Sequence, residues 1–439
     1  MQAIANLPKS NLPRIVIVGG GFAGLKLARK LTRASFQVVL LDRYNYHQFQ
    51  PLFYQVATAG LEPSAISFPL RKAFHKEKNV HLRIAKVEKV DPDQKQLFTD
   101  IGTLTYDHLV LALGADTNYF GNEQIAKYAV PMKSLGEAIS LRNQILHNYE
   151  QALNESDPEA RAALMNVVIV GGGPTGVELA GAIAEMKRFI LPKDYPELDF
   201  SEMRVQLLEA APQILGAYSE RNAKKATGYL EKLGVEVQVN TMVANYDGQN
   251  VVLKDNRLLP TRTLIWAAGV KANTIEGLPE GVYGNGQRLI VDRYNRVEGL
   301  EQVYALGDMA LMKTPTYPGG HPQVAQVAMQ QASLLFRNLN NWMEAKKPKP
   351  FKYIDKGSLA TVGRNLAIAD LPFLNLSGFP AWILWLFVHL MALVGVKNRL
   401  FVFLNWAWGY FTYDQSLRLL IRPQQETVST APEVKIEPV

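Results

Sequence analysis

Apolar positions along this chain follow a strand rhythm and a helix rhythm in turn. Ile15-Val16-Ile17-Val18 is an unbroken β-branched run, the pattern of a strand buried on both faces. Glycines at 19, 20, 21 and 24 follow at once, and Leu25, Leu27, Ala28 and Leu31 then recur at helical spacing. A second apolar run, Val38-Val39-Leu40-Leu41, ends in Asp42. The same order returns at Val167–Val170, at Gly171, Gly173 and Gly176, in a helix opening with Val177, Leu179, Ala180 and Ile183, and at Val205, Leu207 and Leu208 before Glu209. A Pro- and charge-rich stretch, Lys187 to Met203, reads as an insertion between that helix and its strand. Two further runs ending in glycine, Leu109–Gly114 and Thr263–Gly269, are expected to be linker strands joining two domains. A short strand before Gly307-Asp308 returns to the first of them. Strands alternating with helices predict an α/β protein with parallel sheets.

The C-terminal pattern is different. Four of the six tryptophans fall between Trp382 and Trp408, among Phe379, Phe387, Phe401, Phe403, Tyr410 and Phe411. The apolar run Ala381–Val396 has 16 residues, fewer than the roughly 20 that span hydrocarbon, and Leu400–Tyr413 is shorter still. Two readings stand: core-packed helices or a dimer interface, and a monotopic anchor with Lys397, Arg399, Arg418 and Arg422 near lipid headgroups. Pro423–Val439 is polar and is predicted to be disordered.

Composition narrows the chemistry. The chain of 439 residues suffices for two or three domains and carries a formal charge of +7, which suits an anionic partner such as nucleotide phosphate or acidic lipid. No nucleic-acid motif accompanies that charge, so nucleic acid is not expected. Zero cysteines exclude disulfides, thiolate metal sites and cysteine nucleophiles, and no metal site is predicted. Met1–Pro13 lacks an apolar signal core.

The repeated pattern is a dinucleotide-binding fingerprint seen twice. Gly19 and Gly171 make the tight turn, Gly21 and Gly173 let backbone amides approach a pyrophosphate, and Gly24 and Gly176 let helix and strand pack closely. Asp42, 23 positions after Gly19, stands where a carboxylate receives ribose hydroxyls; Glu209 stands 38 positions after Gly171. Glu209 is followed by Ala210, Ala211 and Pro212, with no arginine to receive a 2′-phosphate, and its charge would repel that phosphate, so NADH is favoured over NADPH. The order of the segments assigns FAD to the first unit and NADH to the second, with Asp308 meeting the flavin's ribityl chain. Gln323, Gln326 and Gln330 are read on one face of a helix beginning near Pro322, either as a solvated stripe or as hydrogen-bond donors. Glu178, two positions after Gly176, is read as a first-turn carboxylate. His47 and Tyr54 are read as structural.

Four further segments resemble the type II NADH dehydrogenases, single-subunit, non-proton-pumping NADH:quinone oxidoreductases. They are Asn45–Gly60, the extended fingerprint Gly173–Gly181, Ala325-Gln326-Val327-Ala328-Met329-Gln330 and the aromatic C-terminal region. The resemblance spans about residues 12–422. It implies that Gly19, Gly21, Phe22, Ala23, Gly24, Asp42, Arg43, Gly114, Gly307, Asp308, Ala325 and Gln326 hold FAD. It implies that Gly171, Gly173, Pro174, Thr175, Gly176, Glu178, Glu209, Ala268 and Gly269 hold NADH. Glu178, Gln326 and Gln330 are implied as catalytic, the two glutamines against the flavin and quinone.

The expected architecture is an FAD unit over 12–125 and 290–345, an NADH unit over 126–289 and a helical membrane-anchoring and dimerisation module over 346–422. The resemblance implies hydride transfer from NADH to flavin N5, then two electrons to a lipid-soluble quinone without proton pumping. A homodimer on the cytoplasmic face of a bacterial cell membrane, anchored through about 380–422, is the expected setting. A reductase of a soluble iron–sulfur protein and a non-catalytic NADH sensor at the membrane are the alternatives. The apolar terminus opposes the first and the two intact fingerprints oppose the second.

Overall fold

The computed structural model describes residues 2–413 and 417–420. The tail 423–439 and Arg422 lie outside the described residues, as do the expectations that fall on them.

In the first unit, β1 (Arg14–Val18) leads through the glycine turn into α1 (Phe22–Leu31) and then β2 (Gln37–Asp42). A short α2 (Phe53–Ala57), β3 (Val80–Ile84), β4 (His108–Leu111) and β5 (Ala115–Thr117) follow. The second unit comprises β6 (Val130–Pro131), α3 (Leu135–Ala152), β7 (Val167–Val170), α4 (Pro174–Phe189), β8 (Val205–Leu208), β9 (Val235–Gln238), β10 (Thr263–Trp266) and β11 (Val270–Ala272). The chain then returns through β12 (Val303–Ala305) and α5 (Ala325–Met343). It ends in β13 (Ser358–Gly363), β14 (Leu366–Leu371), β15 (Leu374–Ser377), α6 (Phe379–Ala392) and α7 (Val396–Thr412).

The two units repeat one topology. Their five-stranded sheets run β12-β4-β1-β2-β3 and β6-β10-β7-β8-β9, and every pairing in both is parallel. Ile15–Val18 and all of Val167–Val170 are buried, as helices on both faces of a parallel sheet require. A Cβ on Gly24 would come within 1.8 Å of the Gly19 carbonyl, and one on Gly176 within 1.9 Å of that of Gly171. Only hydrogen fits where each helix rests on its own turn.

The structure corrects several expectations. The runs 109–114 and 263–269 do not link the units: β4 and β10 are interior strands of the two sheets, because each is apolar enough to be buried on both faces. The crossing is made just beyond them, where β5 and β11 form an antiparallel ribbon. Helix α4 continues through Lys187 to Phe189, so the inserted segment begins after it. The glutamine helix starts at Ala325, leaving Gln323 in the preceding loop. The C-terminal module is not wholly helical, since β13, β14 and β15 form an antiparallel sheet ahead of α6 and α7. Its first two strands each bury only three consecutive residues, Ala360–Val362 and Ala367–Ala369, a weaker signal than the aromatic helices. Residues before it pack elsewhere: Phe351 is buried in the core of the first unit.

The C-terminal sheet lies directly on α4. A Cβ on Gly181 would stand 1.6 Å from the Val362 carbonyl, so glycine permits backbone contact between helix and hairpin. Trp406 Nε1 donates to Gln55 Oε1 at 2.7 Å and Asn398 Nδ2 to the Ser67 carbonyl at 2.8 Å, which fastens α7 to the first unit.

Candidate active site

Two nucleotide cradles have matching geometry. In the first, the Gly20 amide donates to Asp42 Oδ2 at 2.5 Å and the Tyr44 amide to Oδ1 at 2.7 Å. In the second, the Gly172 amide donates to Glu209 Oε2 at 2.6 Å and the Ala211 amide to Oε1 at 2.7 Å. Each carboxylate is thus aimed by the glycine turn and by the chain just after its strand, with lone pairs left for hydroxyl donors. Burial raises the Asp42 pKa, and the two amide hydrogen bonds oppose that rise. The helices α1 and α4 are capped by Gly21 and Gly173, with no side chain on their first amides. A Cβ at either glycine meets nothing within 4 Å. Open space over unsatisfied helix N–H groups is what a pyrophosphate needs.

Other predicted residues surround these cradles. Ala23 is buried, and Phe22 packs edge-on to His47 and Phe49. Arg43 is exposed, stacked over Tyr44. Pro174 and Thr175 are exposed on the first turn of α4, and Ala268 and Gly269 follow β10. Gly114, with φ +71°, faces open space. Asp308 follows Gly307 at the end of β12 with its carboxylate partly buried, and burial raises its pKa despite Lys133 and Arg288. Among the described residues no protein group hydrogen-bonds that carboxylate, which suits an incoming polyol. His47 Nδ1 lies 3.0 Å from the Gly20 carbonyl, and burial lowers its pKa, so it is a neutral brace for the turn.

A cleft of about 150 Å³ opens where α2, α4, the β13–β14 hairpin and the helices α6 and α7 converge. Glu178 lies within it, 7% exposed, on the second turn of α4 rather than the first. Its Oε1 accepts from Trp385 Nε1 at 3.2 Å and from the Thr361 amide at 3.4 Å. Burial is the dominant influence and raises the Glu178 pKa to about 8; the two hydrogen bonds only soften it. Tyr54 lines the same cleft, its hydroxyl accepting from Gln55 Nε2 at 2.7 Å. Trp385, 1% exposed, stacks on His389, and burial lowers the His389 pKa to about 4.

Gln326 and Gln330 do not line this cleft. Gln326 Nε2 donates to the Gly357 carbonyl at 2.8 Å, and Gln330 Nε2 to that of Ile354 at 2.8 Å. The Lys356 and Ile354 amides return bonds to their carbonyl oxygens. The two carboxamides therefore clamp the strap 354–357 against α5. Gln323 Nε2 donates to the Asp308 carbonyl, and buried Gln331 accepts from the Gly307 amide at 2.7 Å. Gln331 escaped the sequence reading because it sits beside the glutamine stripe rather than in it. Trp385, Glu185 and Arg364 escaped it because their partners lie far away in sequence.

Residues 13–332 match the family model described as pyridine nucleotide-disulphide oxidoreductase, and 356–412 match the NDH2 C-terminal domain. The type II NADH:quinone oxidoreductase Ndh of Mycobacterium tuberculosis is 37% identical over 437 residues, covering 95% of this chain and 92% of that one. The chain belongs to the type II NADH:quinone oxidoreductases. A second relative of that name from the same organism, NdhA, is 37% identical over 413 residues, covering 90% of this chain and 86% of its own. The fold is also that of NDH2 from Plasmodium falciparum, solved in complex with NADH, with a TM-score of 0.86 at 21% identity over 94% of this chain and 100% of that one. In this type II NADH:quinone oxidoreductase the cradles come from the oxidoreductase segment, and the cleft is completed by the C-terminal domain.

Proposed function

We propose that this chain oxidises NADH with a quinone at a membrane surface, through FAD held in the first cradle. The carrying observation is the buried Glu178 carboxyl, placed by the NADH-cradle helix and closed over by Trp385 of the C-terminal module. FAD, when bound, supplies a carrier that accepts a hydride and returns electrons two at a time or singly. Asp42 and Glu209 receive the ribose hydroxyls, the N-termini of α1 and α4 receive the pyrophosphates, and Asp308 receives a ribityl hydroxyl. Phe22, Ala23, Arg43, Gly114, Gly307 and Ala325 complete the FAD side; Pro174, Thr175, Ala268 and Gly269 complete the NADH side. Gln326 and Gln330, which lie outside the cleft, each retain one amide hydrogen for the flavin edge while holding the strap. Quinone reduction consumes two protons, and a carboxyl with a pKa of about 8 is protonated at neutral pH and can donate one.

Membrane contact is supported by the outer face of the C-terminal helices. Phe379, Ile383, Phe387 and Met391 recur every fourth residue of α6 and are exposed, with Phe401, Trp408 and Phe411 exposed on α7. No Asp or Glu occurs from 371 to 413. Among the described residues no helix is long and apolar enough to cross a membrane, so this face suits insertion along the interface. Lys397 is available to headgroups, whereas Arg399 caps α6 through the Leu393 and Met391 carbonyls and Arg418 pairs with Asp194. The cytoplasmic face of a bacterial cell membrane, where NADH is formed, is the proposed location. An exposed apolar face is not needed by a reductase of a soluble iron–sulfur protein.

Purified protein is expected to oxidise NADH rapidly with a short-chain quinone and slowly without one; quinone-independent oxidation would refute the reading. Glu209→Ala is expected to raise the KM for NADH about tenfold, the loss of one charge-assisted hydrogen-bonded contact. An unchanged KM would remove Glu209 from the site.

A further inference from the structure

Four residues of α4 line the cleft on one helix face: Glu178, Ala182, Glu185 and Phe189. Seven residues of helix place the two carboxyls about 10 Å apart along the axis. Glu178 sits at the closed end under Trp385. Glu185 is half-buried at the other end, beside Arg364, Tyr410 and Tyr413. The Arg364 amide donates to Glu185 Oε1 at 2.6 Å. A Cβ on Gly363 would lie 2.9 Å from the same oxygen, so the carboxyl is held directly under the hairpin turn. The Arg364 guanidinium donates to the Tyr410 and Gly409 carbonyls at 2.7 and 2.6 Å and lies over the Tyr413 ring, 3.4 Å from its centre. It is thereby fixed at the C-terminal end of α7, where helix carbonyls favour a cation. Both hydrogen bonds given to Glu178 fall on Oε1, so among the described residues Oε2 has no protein donor.

Resting on the reading of this cleft as the quinone site, we propose that Glu185 is the proton inlet for quinone reduction, relaying protons from solvent to Glu178 with Arg364 holding the inlet in place. Reduction of one quinone requires two electrons and two protons. NADH provides two electrons and one proton as hydride, and the other proton comes from solution. At the quinone, the Glu178 O–H bond breaks as the quinone O–H bond forms. The Glu178 carboxylate then regains a proton that leaves Glu185, through water in the cleft, and Glu185 regains one from solvent. No electrons move in the relay. Burial raises the pKa of Glu185, with Arg364 opposing, so its carboxyl is easier to protonate than an exposed one. The titratable and charged groups facing it are Glu178 on α4, Tyr54 on α2, Arg364 on the hairpin, and Tyr410 and Tyr413 at the end of α7. Burial pushes the Tyr54 hydroxyl well above its ordinary range, so it stays neutral.

The test uses the full-length, cofactor-loaded protein on membranes, with quinone as acceptor in H2O and D2O and ferricyanide as an acceptor that takes electrons without protons. Glu185→Gln keeps the oxygen that receives the Arg364 amide. It is expected to lower the ratio of quinone-linked to ferricyanide-linked turnover about tenfold and to raise the solvent isotope effect on the quinone reaction; Glu185→Asp is expected to recover part of the ratio. An unchanged ratio and isotope effect, or equal losses with both acceptors, would overturn the relay. If Glu178→Gln slows the quinone reaction and Glu185→Gln does not, only the inlet is wrong. If Glu178→Gln is also silent, the reading of the cleft itself fails.

Discussion

Glu178→Gln is expected to slow quinone-linked NADH oxidation about 100-fold, the lower end of what a positioned general acid contributes, while the protein still binds FAD. The substitution keeps the acceptor oxygen for Trp385 and Thr361 and removes only the transferable proton. Turnover of the unsubstituted protein should decline above pH 8 as Glu178 ionises. The ionisable groups around it are Tyr54 from α2, Tyr218 and Glu185. A thermal measurement separates this from a folding defect. Burial raises the folded carboxyl to about 8 from an ordinary value of 4.5, so between those pH values the unfolded chain binds fewer protons than the folded one. The contribution of Glu178 to stability is therefore fullest below pH 4.5 and declines as pH rises toward 8, by up to a few kcal/mol. Glu178→Gln avoids that loss. Its Tm should exceed that of the unsubstituted protein at pH 8 and converge with it near pH 5. Unaltered turnover, or a Tm difference independent of pH, would contradict the assignment.

The second large effect concerns the outer face of α6 and α7. Replacing Phe387 and Phe411 together by Ser is expected to weaken partition onto phospholipid vesicles at least 100-fold. Each large apolar side chain contributes about 1.5–3 kcal/mol on burial, and two such losses exceed the ~1 kcal/mol of one basic residue at an anionic surface. Both rings are exposed and neither lines the cleft, so activity with a water-soluble quinone should change less than binding does. Binding of the unsubstituted protein should largely survive 1 M salt, because hydrophobic insertion is not screened. Complete release by salt would show that charge, not the aromatic face, holds the protein.

The two cradles were legible because their physics is local. A β-branched run, a glycine turn, a helix and an acid-ended strand are contiguous, and the amides at Gly20 and Gly172 reach Asp42 and Glu209 through pairing of adjacent strands. The linker strands were misassigned for a related reason: an apolar run ending in glycine looks the same whether it crosses between sheets or lies inside one. Only the pairing of β4 with β1 and of β10 with β7 tells them apart. The glutamine stripe was visible by spacing, but its hydrogen-bond partners at 354 and 357 are strap carbonyls that no periodicity announces.

From the sequence alone came the two dinucleotide units, their carboxylates, the expectation of NADH and the lack of any thiol route, since each depends on residue type and short-range spacing. Tertiary structure decided the cleft. Glu178 and Trp385 are separated by 207 positions, and Glu185 and Arg364 by 179. Packing of the C-terminal hairpin against Gly181 takes water from the Glu178 carboxyl, and that desolvation converts an ordinary glutamate into one with a pKa of about 8.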